Sequence, residues 1–195
     1  MARPAANSAT VITVSDSCFA GAREDISGPA VVARLTELGF KVSNSTICPD
    51  DAGALVDALR VAAVRFRLVV TTGGTGIGPR DVTPEATRVI CTKLLDGIPE
   101  LMRSAGLNQT PYAPLSRALC GTAAHALILN LPGRPEGAIA SLNAVAHLLP
   151  HALEILSGHT EHINHPPSEA SPAPKATLAK APAAKSQSVK SQPGS

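Results

Sequence analysis

Aromatic side chains are scarce in this sequence of 195 residues: they make up 2% of it, and tryptophan is absent. Hydrophobic residues nevertheless reach 44%, so leucine, valine, isoleucine and alanine must supply the core. A chain of this length is sufficient for one ordinary domain with a substantial core. The scarcity of rings therefore restricts the composition of the interior but does not argue against a folded domain.

A strong excess of positive charge is missing as well. The formal net charge is +2, and the last thirty residues contribute +3 through four lysines and one glutamate. The rest of the chain therefore sums to −1. Binding of nucleic acid needs clustered cations that displace counterions, so we expect no nucleic-acid partner.

Closely spaced cysteine pairs are also absent. The four cysteines, at positions 18, 48, 91 and 120, form no CxxC motif, which argues against a zinc site and a small disulfide scaffold. The N-terminal residues lack the apolar segment of a signal peptide, and no apolar run approaches the length of a membrane span. We therefore expect a cytoplasmic protein with reduced thiols and no membrane partner.

The sequence does contain an alternation of strand-like and helix-like segments. Apolar or β-rich runs predict strands at residues 10–15, 40–47, 67–72, 117–120 and 126–131. Helical spacing and capping residues predict helices that begin at Ser27, at Asp50 or Asp51, at Thr83, near Ile98 and at Glu136, the last running to about Leu156. This order predicts an α/β fold, a three-layer sandwich with a mostly parallel central sheet and helices on both faces.

Composition divides the chain into three parts. We expect residues 1–8 to be a flexible N-terminus and residues 9–160 to form the domain. Residues 161–195 become rich in proline, alanine, serine and lysine. Such a segment cannot bury enough apolar area to offset its ordering entropy, so we expect a disordered tail, with contact to an acidic partner as the alternative.

A glycine-rich segment follows the strand predicted at 67–72. Residues 71–81 read TTGGTGIGPRD. Ligands of open α/β sheets bind at the carboxyl ends of the strands, where glycines let main-chain N–H groups surround an anion. The helix predicted at Thr83 adds a partial positive charge at its first turn. The segment therefore predicts a phosphate site, with a plain strand-to-helix turn as the alternative.

This segment matches neither common nucleotide motif, because it lacks the lysine of GxxxxGK[ST] and its glycines are one residue short of GxGxxG. The neighbouring Arg80 and Asp81 carry more information. A carboxylate beside phosphate-binding N–H groups is electrostatically unfavourable unless a metal ion or a proton transfer requires it. The alternatives are that Asp81 pairs with Arg80 or supports the turn at Thr83, and that Arg80 is a surface cation.

Three blocks, VSDSCFAGAREDISGPAV, TTGGTGIGPRDVTPEAT and LSRALCGTAAHALILNLPGRPEGA, resemble the MogA/MoaB family of molybdenum-cofactor biosynthesis, which has the gephyrin G-domain fold. The resemblance spans roughly residues 9–160 in unbroken order. It implies an α/β domain, usually a homotrimer, that binds molybdopterin. It also implies that molybdopterin and ATP are substrates and that Mg²⁺ is a cofactor. In the reaction that the resemblance implies, the terminal phosphate of molybdopterin attacks the α-phosphorus of ATP and pyrophosphate leaves; we expect the adenylylated product to be handed to a molybdate-inserting partner.

The resemblance also implies roles for individual positions. Asp81, in RDVTPEA, and Asp50, in CPDD, are implied as the catalytic aspartates that place Mg²⁺. Phosphate and nucleotide binding are assigned to Gly73, Gly74, Thr75, Gly76 and Arg80. Molybdopterin binding is assigned to Ser15, Asp16, Ser17, Asp25, Ser27, Gly28, Ser116, Arg117, Asn130, Pro132 and Gly133.

Some of these positions have structural alternatives. Either Asp50 or Asp51 can cap the helix that follows, and the serines after the first strand can form a plain turn. The family motif DTSG reads Asp25-Ile26-Ser27-Gly28 here, which removes one hydroxyl and leaves a capping serine. The alternative functions are a MoaB-like paralogue that binds the pterin with little catalysis, and a trimeric scaffold. The presence of both aspartates favours the enzyme.

Overall fold

The protein is described by a computed structural model that covers residues 4–158; residues 1–3 and 159–195 lie outside the described part. The tail predicted at 161–195 therefore lies outside it too. Residues 4–158 belong to one compact unit.

A six-stranded sheet forms the centre of the domain, in the order β2-β1-β3-β6-β5-β4. β2, β1, β3 and β6 are parallel, whereas β5 is antiparallel to both β6 and β4. The predicted mostly parallel sheet is thereby confirmed. The strands are β1 (Ser8–Val14), β2 (Lys41–Cys48), β3 (Leu68–Thr72), β4 (Lys93–Leu94), β5 (Cys120–Ala123) and β6 (Ala126–Leu131).

Helices cover both faces of the sheet. Successive residues of β3 point to opposite faces: Leu68 and Val70 belong to one buried cluster, together with α2, α5, α6 and α7, and Val69 belongs to the other, with α3 and α4. This alternation produces the predicted three layers. The helices are α1 (Asp16–Phe19), α2 (Ser27–Glu37), α3 (Ala52–Arg65), α4 (Thr83–Ile90), α5 (Gly97–Gly106), α6 (Pro135–Val145) and α7 (Leu149–Leu156).

The helix predicted from Glu136 to Leu156 is wrong as a single element. The chain forms α6 and α7, joined by a 3₁₀ turn at Ala146–Leu148. Pro150 occupies the first turn of α7, and since proline has no N–H it cannot continue the hydrogen-bond ladder of an α-helix. The segment therefore bends and follows the curved surface of the sheet.

The segment Pro135–Leu156 is also long and apolar enough to cross a membrane by length and composition. In this structure Leu142, Val145 and Leu149 on its inner side are fully buried in the core. These positions lie three or four residues apart, as expected for a helix face that packs on a sheet. Packing within the domain therefore accounts for the apolar residues on this face.

One further boundary differs from prediction, and two short elements were not predicted. The short strand expected at 117–120 begins at Cys120, because Arg117 and Leu119 make other contacts described below. The four-residue helix α1 and the two-residue strand β4 were not predicted. Elements of this length show too few periods of hydrophobicity to be recognised from sequence.

Candidate active site

A cavity of about 980 Å³ lies at the carboxyl ends of β1, β2, β3 and β6. This is the edge at which ligands bind open α/β sheets. The structure brings many of the predicted site residues into its lining: Ser15, Asp25, Ser27, Asp50, Gly73, Gly74, Thr75, Gly76, Asp81, Ser116, Pro132 and Gly133.

The turn after β3 requires its first two glycines. Gly73 has φ +102° and Gly74 has φ +60°, in the left-handed region where residues with a Cβ are strained. A Cβ on Gly73 would also collide with the carbonyl oxygen of Val14. Thr83 fastens the turn to α4: its Oγ1 donates to the carbonyl of Gly73 at 2.9 Å and its N–H to that of Gly74 at 3.0 Å.

The carboxylate of Asp81 lies against this glycine segment. Its Oδ2 accepts a hydrogen bond from the N–H of Gly78 at 2.8 Å, and a Cβ built on Gly76 would lie 2.8 Å from the same oxygen. Arg80 instead forms its ion pair with Asp16, at 2.6 Å, so the alternative in which Asp81 pairs with Arg80 does not hold. Asp81 is half-buried and borders the cavity.

Asp50 and Asp51 are adjacent but have different partners. Asp51 caps α3, because its Oδ1 accepts from the N–H of Ala54 at 2.8 Å. Asp50 exchanges hydrogen bonds with Asp16: each carboxylate accepts from the other's N–H, at 2.8 and 2.9 Å. The second oxygen of Asp50 lies 3.4 Å from the position of a Cβ on Gly74, so it faces the glycine turn.

Asp16, Ser17 and Arg80 do not join the described residues that line the cavity. The hydrogen bond from Arg80, and to a smaller extent the one from the N–H of Asp50, holds the pKa of Asp16 below its ordinary value of 3.8. Ser17 Oγ lies 3.1 Å from Ser15 Oγ. Of these three residues, Asp16 acts on the cavity indirectly, because its N–H holds one oxygen of the Asp50 carboxylate.

The helix cap predicted at Ser27 is wrong. Ser27 is the first residue of α2, and Asp25 accepts from the N–H of Gly28 at 2.9 Å and from the hydroxyl of Thr13 at 2.7 Å. A Cβ on Gly28 would collide with both Asp25 and Thr13. Gly28 itself does not line the cavity, and its lack of a side chain provides space for the carboxylate of Asp25.

Arg117 and Asn130 are also not among the described residues that line the cavity, so a contact of either with molybdopterin stays a prediction. The guanidinium of Arg117 donates to the carbonyls of Gly76 and Asp81, at 2.6 and 2.8 Å, and to the carboxylate of Glu85. Partial burial raises the pKa of Glu85, but the hydrogen bond from Arg117, a backbone hydrogen bond and the charges of Arg117 and Arg88 together hold the pKa below its ordinary value of 4.5.

Asn130 is completely buried in β6. Its amide nitrogen donates to the hydroxyls of Thr71 and Thr87, each at 3.0 Å, and its amide oxygen accepts from the N–H of Leu119 at 3.1 Å. The side chain therefore joins β3, α4 and the segment before β5.

Several lining residues were missed by sequence reasoning. Arg23, Arg103 and Arg134 bring positive charge to the cavity, and Ile77 and Tyr112 border it with side chains that remain largely exposed. Arg134 falls inside the block LILNLPGRPEGA, so a signal for it was present. Arg103 lies on α5 and Tyr112 lies in a loop. The hydrophobic periodicity of the sequence does not show that either side chain points towards the cavity.

The described residues contain no group of three or more His, Cys, Asp or Glu side chains that could hold a metal ion. The two carboxylates of Asp50 and Asp81 nevertheless fit Mg²⁺. This ion commonly keeps several waters and binds through one or two carboxylates plus substrate phosphates.

Comparison with known proteins agrees with this geometry. The family model described as "Probable molybdopterin binding domain" matches residues 10–151. The molybdopterin adenylyltransferase of Helicobacter pylori is 37% identical over 158 residues, which are 79% of this chain and 90% of that protein. The structure of the molybdopterin biosynthesis enzyme MoaB from Thermus thermophilus has a TM-score of 0.73 at 44% identity, covering 77% and 96% of the two chains.

Some relatives are much longer. The molybdenum cofactor synthesis protein cinnamon of Drosophila melanogaster is 38% identical over 152 residues. The matched region is 75% of this chain but only 25% of that protein. The domain therefore occurs both as most of a short protein and as one part of a larger one. The matched residues include the glycine turn and both aspartates, and the chain belongs to the molybdopterin-binding domain family of MogA and MoaB.

Proposed function

We propose that this protein is a molybdopterin adenylyltransferase. The observation that carries the proposal is the approach of two carboxylates, from Asp50 after β2 and Asp81 after β3, to one glycine turn at the edge of a large cavity. Adenylyltransferases among the relatives of comparable length support the same assignment. The reaction joins the terminal phosphate of molybdopterin to the AMP part of ATP and releases pyrophosphate.

The main physical obstacle in this reaction is charge. Both substrates are phosphate esters, so the site must hold two anions close together, and phosphoryl chemistry depends mostly on positioning and charge neutralisation. The main-chain N–H groups of residues 74–76 offer donors to one phosphate, and the start of α4 adds a partial positive charge. Arg23, Arg103 and Arg134 add cations along the cavity.

The aspartates can bind a metal cation, which N–H donors and arginines cannot do. Carboxylates repel phosphates, and their presence at an anion site is explained if Asp50 and Asp81 hold Mg²⁺. When bound, the ion would neutralise phosphate charge between the two substrates. Asp16 and Arg80 contribute indirectly, because their hydrogen bonds fix the orientation of Asp50.

We further infer from the family resemblance that the domain acts in the cytoplasm as a homotrimer. We also infer that the adenylylated pterin passes to a molybdate-inserting protein or domain. Relatives in which this domain is one part of a longer chain, such as the gephyrin of Dictyostelium discoideum, support a handover between neighbouring domains. Analytical ultracentrifugation at several concentrations would test the trimer.

Turnover with defined substrates tests the proposal. Purified full-length protein is mixed with molybdopterin and Mg-ATP, and pyrophosphate and adenylylated pterin are measured together. We expect equal amounts of both products, and no product after chelation of Mg²⁺. Binding of molybdopterin without product would favour a MoaB-like paralogue, and absence of pterin binding would favour a scaffold; either result would overturn the proposed activity.

A further inference from the structure

We propose that Arg117 is a positioning residue that clamps the glycine segment and thereby sets the place of the Asp81 carboxylate. This inference rests on the proposed function for its catalytic consequence. The structural part, a guanidinium that orders residues 75–81, can be tested without it.

The clamp consists of contacts to both ends of the segment. The N–H of Arg117 donates to the carbonyl of Thr75 at 2.9 Å, and Nε donates to that of Gly76 at 2.6 Å. Nη2 donates to the carbonyl of Asp81 at 2.8 Å. One residue thus holds the chain where it leaves the glycine turn and again at the aspartate.

The clamp is tied to α4 as well. Nη1 donates to the carboxylate of Glu85, one turn into the helix. Because Glu85 lies four residues after Asp81, this contact restrains the helix relative to the aspartate. The guanidinium therefore bridges the glycine segment, the aspartate and the helix start.

Arg117 is itself held in place through its neighbours. Ala118 is buried, and Leu119 exchanges two hydrogen bonds with Asn130: its N–H donates to the side chain at 3.1 Å and its carbonyl accepts from the main chain at 2.9 Å. Asn130 is fully buried in the sheet. The clamp is therefore anchored to the buried central sheet.

The enclosed segment needs such support. Gly76 and Gly78 lose more conformational freedom on ordering than other residues, and Ile77 between them is 71% exposed, so it contributes little packing. Within the segment, the N–H of Gly78 donates to the side chain of Asp81 and the carbonyl of Gly78 accepts from its main chain. Displacement of Gly78 would thus carry the carboxylate of Asp81 with it.

Arginine suits this role because of its shape as well as its charge. Its planar, permanently charged group presents donors in several directions at once, whereas the lysine ammonium is a compact charge on a flexible stem. Here separate nitrogens reach three acceptors on Gly76, Asp81 and Glu85. We therefore expect lysine to replace arginine poorly, and free guanidinium to restore part of what alanine removes.

The kinetic test compares Arg117→Ala, Arg117→Lys and Glu85→Gln with the parent protein. Arg60→Ala is the matched control, because Arg60 forms an exposed ion pair with Asp57 on α3. We expect kcat to fall about ten- to a hundredfold in both Arg117 variants, since small misplacements of reacting groups cost that much. KM for Mg-ATP should stay near that of the parent, and low concentrations of guanidinium should raise kcat of Arg117→Ala.

A rise in KM with unchanged kcat in Arg117→Ala would overturn the clamp, because it would show that the guanidinium binds substrate. Wild-type kcat in Arg117→Lys would overturn it too, because charge without the planar fork would then suffice. Glu85→Gln keeps the contacts to both carbonyls and should reduce kcat less than Arg117→Ala. This milder variant preserves the comparison if Arg117→Ala folds poorly.

Amide hydrogen exchange tests the clamp independently of activity. We expect faster exchange in the peptide spanning residues 75–83 of Arg117→Ala, with unchanged exchange in β1 and β3. Unchanged exchange in residues 75–83 would overturn the clamp. If the parent protein shows no adenylyl transfer, the proposed function fails while this measurement still decides whether Arg117 orders the segment.

Discussion

At the scale of single residues, two neighbouring aspartates have separate duties. Asp51 satisfies an N–H group at the start of α3, whereas Asp50 has one oxygen engaged with the N–H of Asp16 and the other near the glycine turn. The same side chain thus serves as a helix cap at one position and as a candidate metal ligand at the next.

This division gives opposite expectations for two alanine variants. Asp51→Ala removes a cap and should lower the free energy of unfolding by about 1 kcal/mol, with turnover unchanged. Asp50→Ala should abolish most turnover. Denaturant unfolding and the adenylylation assay check both, and Asp57→Ala, at an exposed ion pair on the same helix, is the control. Loss of turnover in Asp51→Ala with activity in Asp50→Ala would reverse the assignment.

The ion pair of Glu85 with Arg117 predicts a pH dependence. Arg117 holds the pKa of Glu85 below its ordinary value of 4.5, so the pair contributes stability above that value and loses it as the pH falls through the folded-state pKa. The effect should be small, because the side chain of Glu85 is 55% exposed and solvent screens it. Unfolding of the parent and Glu85→Gln should therefore differ at neutral pH and converge in acid. A difference that grows in acid would contradict this reasoning.

The residues that sequence could assign were those whose chemistry conflicts with a simple structural role. Asp81 was one, since a carboxylate beside phosphate donors requires a reason. Asp25 and Ser27 were less tractable, because both residue types cap helices and the choice depends on where Thr13 lies in the folded chain. Arg117 lies in a family motif, but the sequence could not show which residues it contacts, because its partners are 32 to 42 positions away.

At the scale of elements, the buried amide of Asn130 joins its own strand to three other parts of the fold. It connects β6 to β3 through Thr71, to α4 through Thr87 and to the segment before β5 through Leu119. The cost of removing such a group comes mainly from the partners left unsatisfied in the interior.

Replacement of Asn130 should therefore be severe. We expect Asn130→Ala to lower the free energy of unfolding by at least about 2 kcal/mol, because buried hydroxyls and an N–H group lose their partner. Asn44→Ala, at an exposed position of β2, should change it by less than about 0.5 kcal/mol. Denaturant titration of both variants is the measurement. Equal stability of the two variants would show that Asn130 does not join these elements.

Long, periodic elements were predictable, and their ends were less so. The continuous apolar run of β6 and the glycine-bounded α2 follow directly from burial and capping preferences. The break between α6 and α7 depends on Pro150, whose effect is local and visible in the sequence. The 3₁₀ geometry of the turn that joins the two helices depends on packing against the core. The position of Asn130 inside an apolar run could not by itself show which neighbours its amide would reach.

At the scale of the whole molecule, the end of α7 is fastened to the sheet by a buried cation. Arg67 is 1% exposed, and its guanidinium donates to the carbonyl of His125 at 2.6 Å, to that of Leu153 at 2.7 Å and to the hydroxyl of Ser157 at 2.5 Å. A buried arginine needs such acceptors to offset its desolvation.

This anchor predicts where the chain can be shortened. A chain that ends at Gly158 keeps the contacts of the Arg67 guanidinium to His125, Leu153 and Ser157, so we expect its unfolding and turnover to match those of the full protein. A chain that ends at Leu156 loses the Ser157 hydroxyl and should be less stable. Thermal unfolding and the adenylylation assay compare the three lengths. Lost turnover at Gly158 would show that residues 159–195 take part in the activity.

The central claim is that Asp81, held beside the glycine turn, takes part in joining two phosphate compounds. Its most direct test is single-turnover formation of adenylylated molybdopterin by Asp81→Asn at saturating Mg-ATP, with molybdopterin binding measured in the same sample. We predict unchanged pterin binding and a rate reduced about a hundredfold or more, since a metal-held charge is worth several kcal/mol. A parent-like rate in Asp81→Asn would contradict the account.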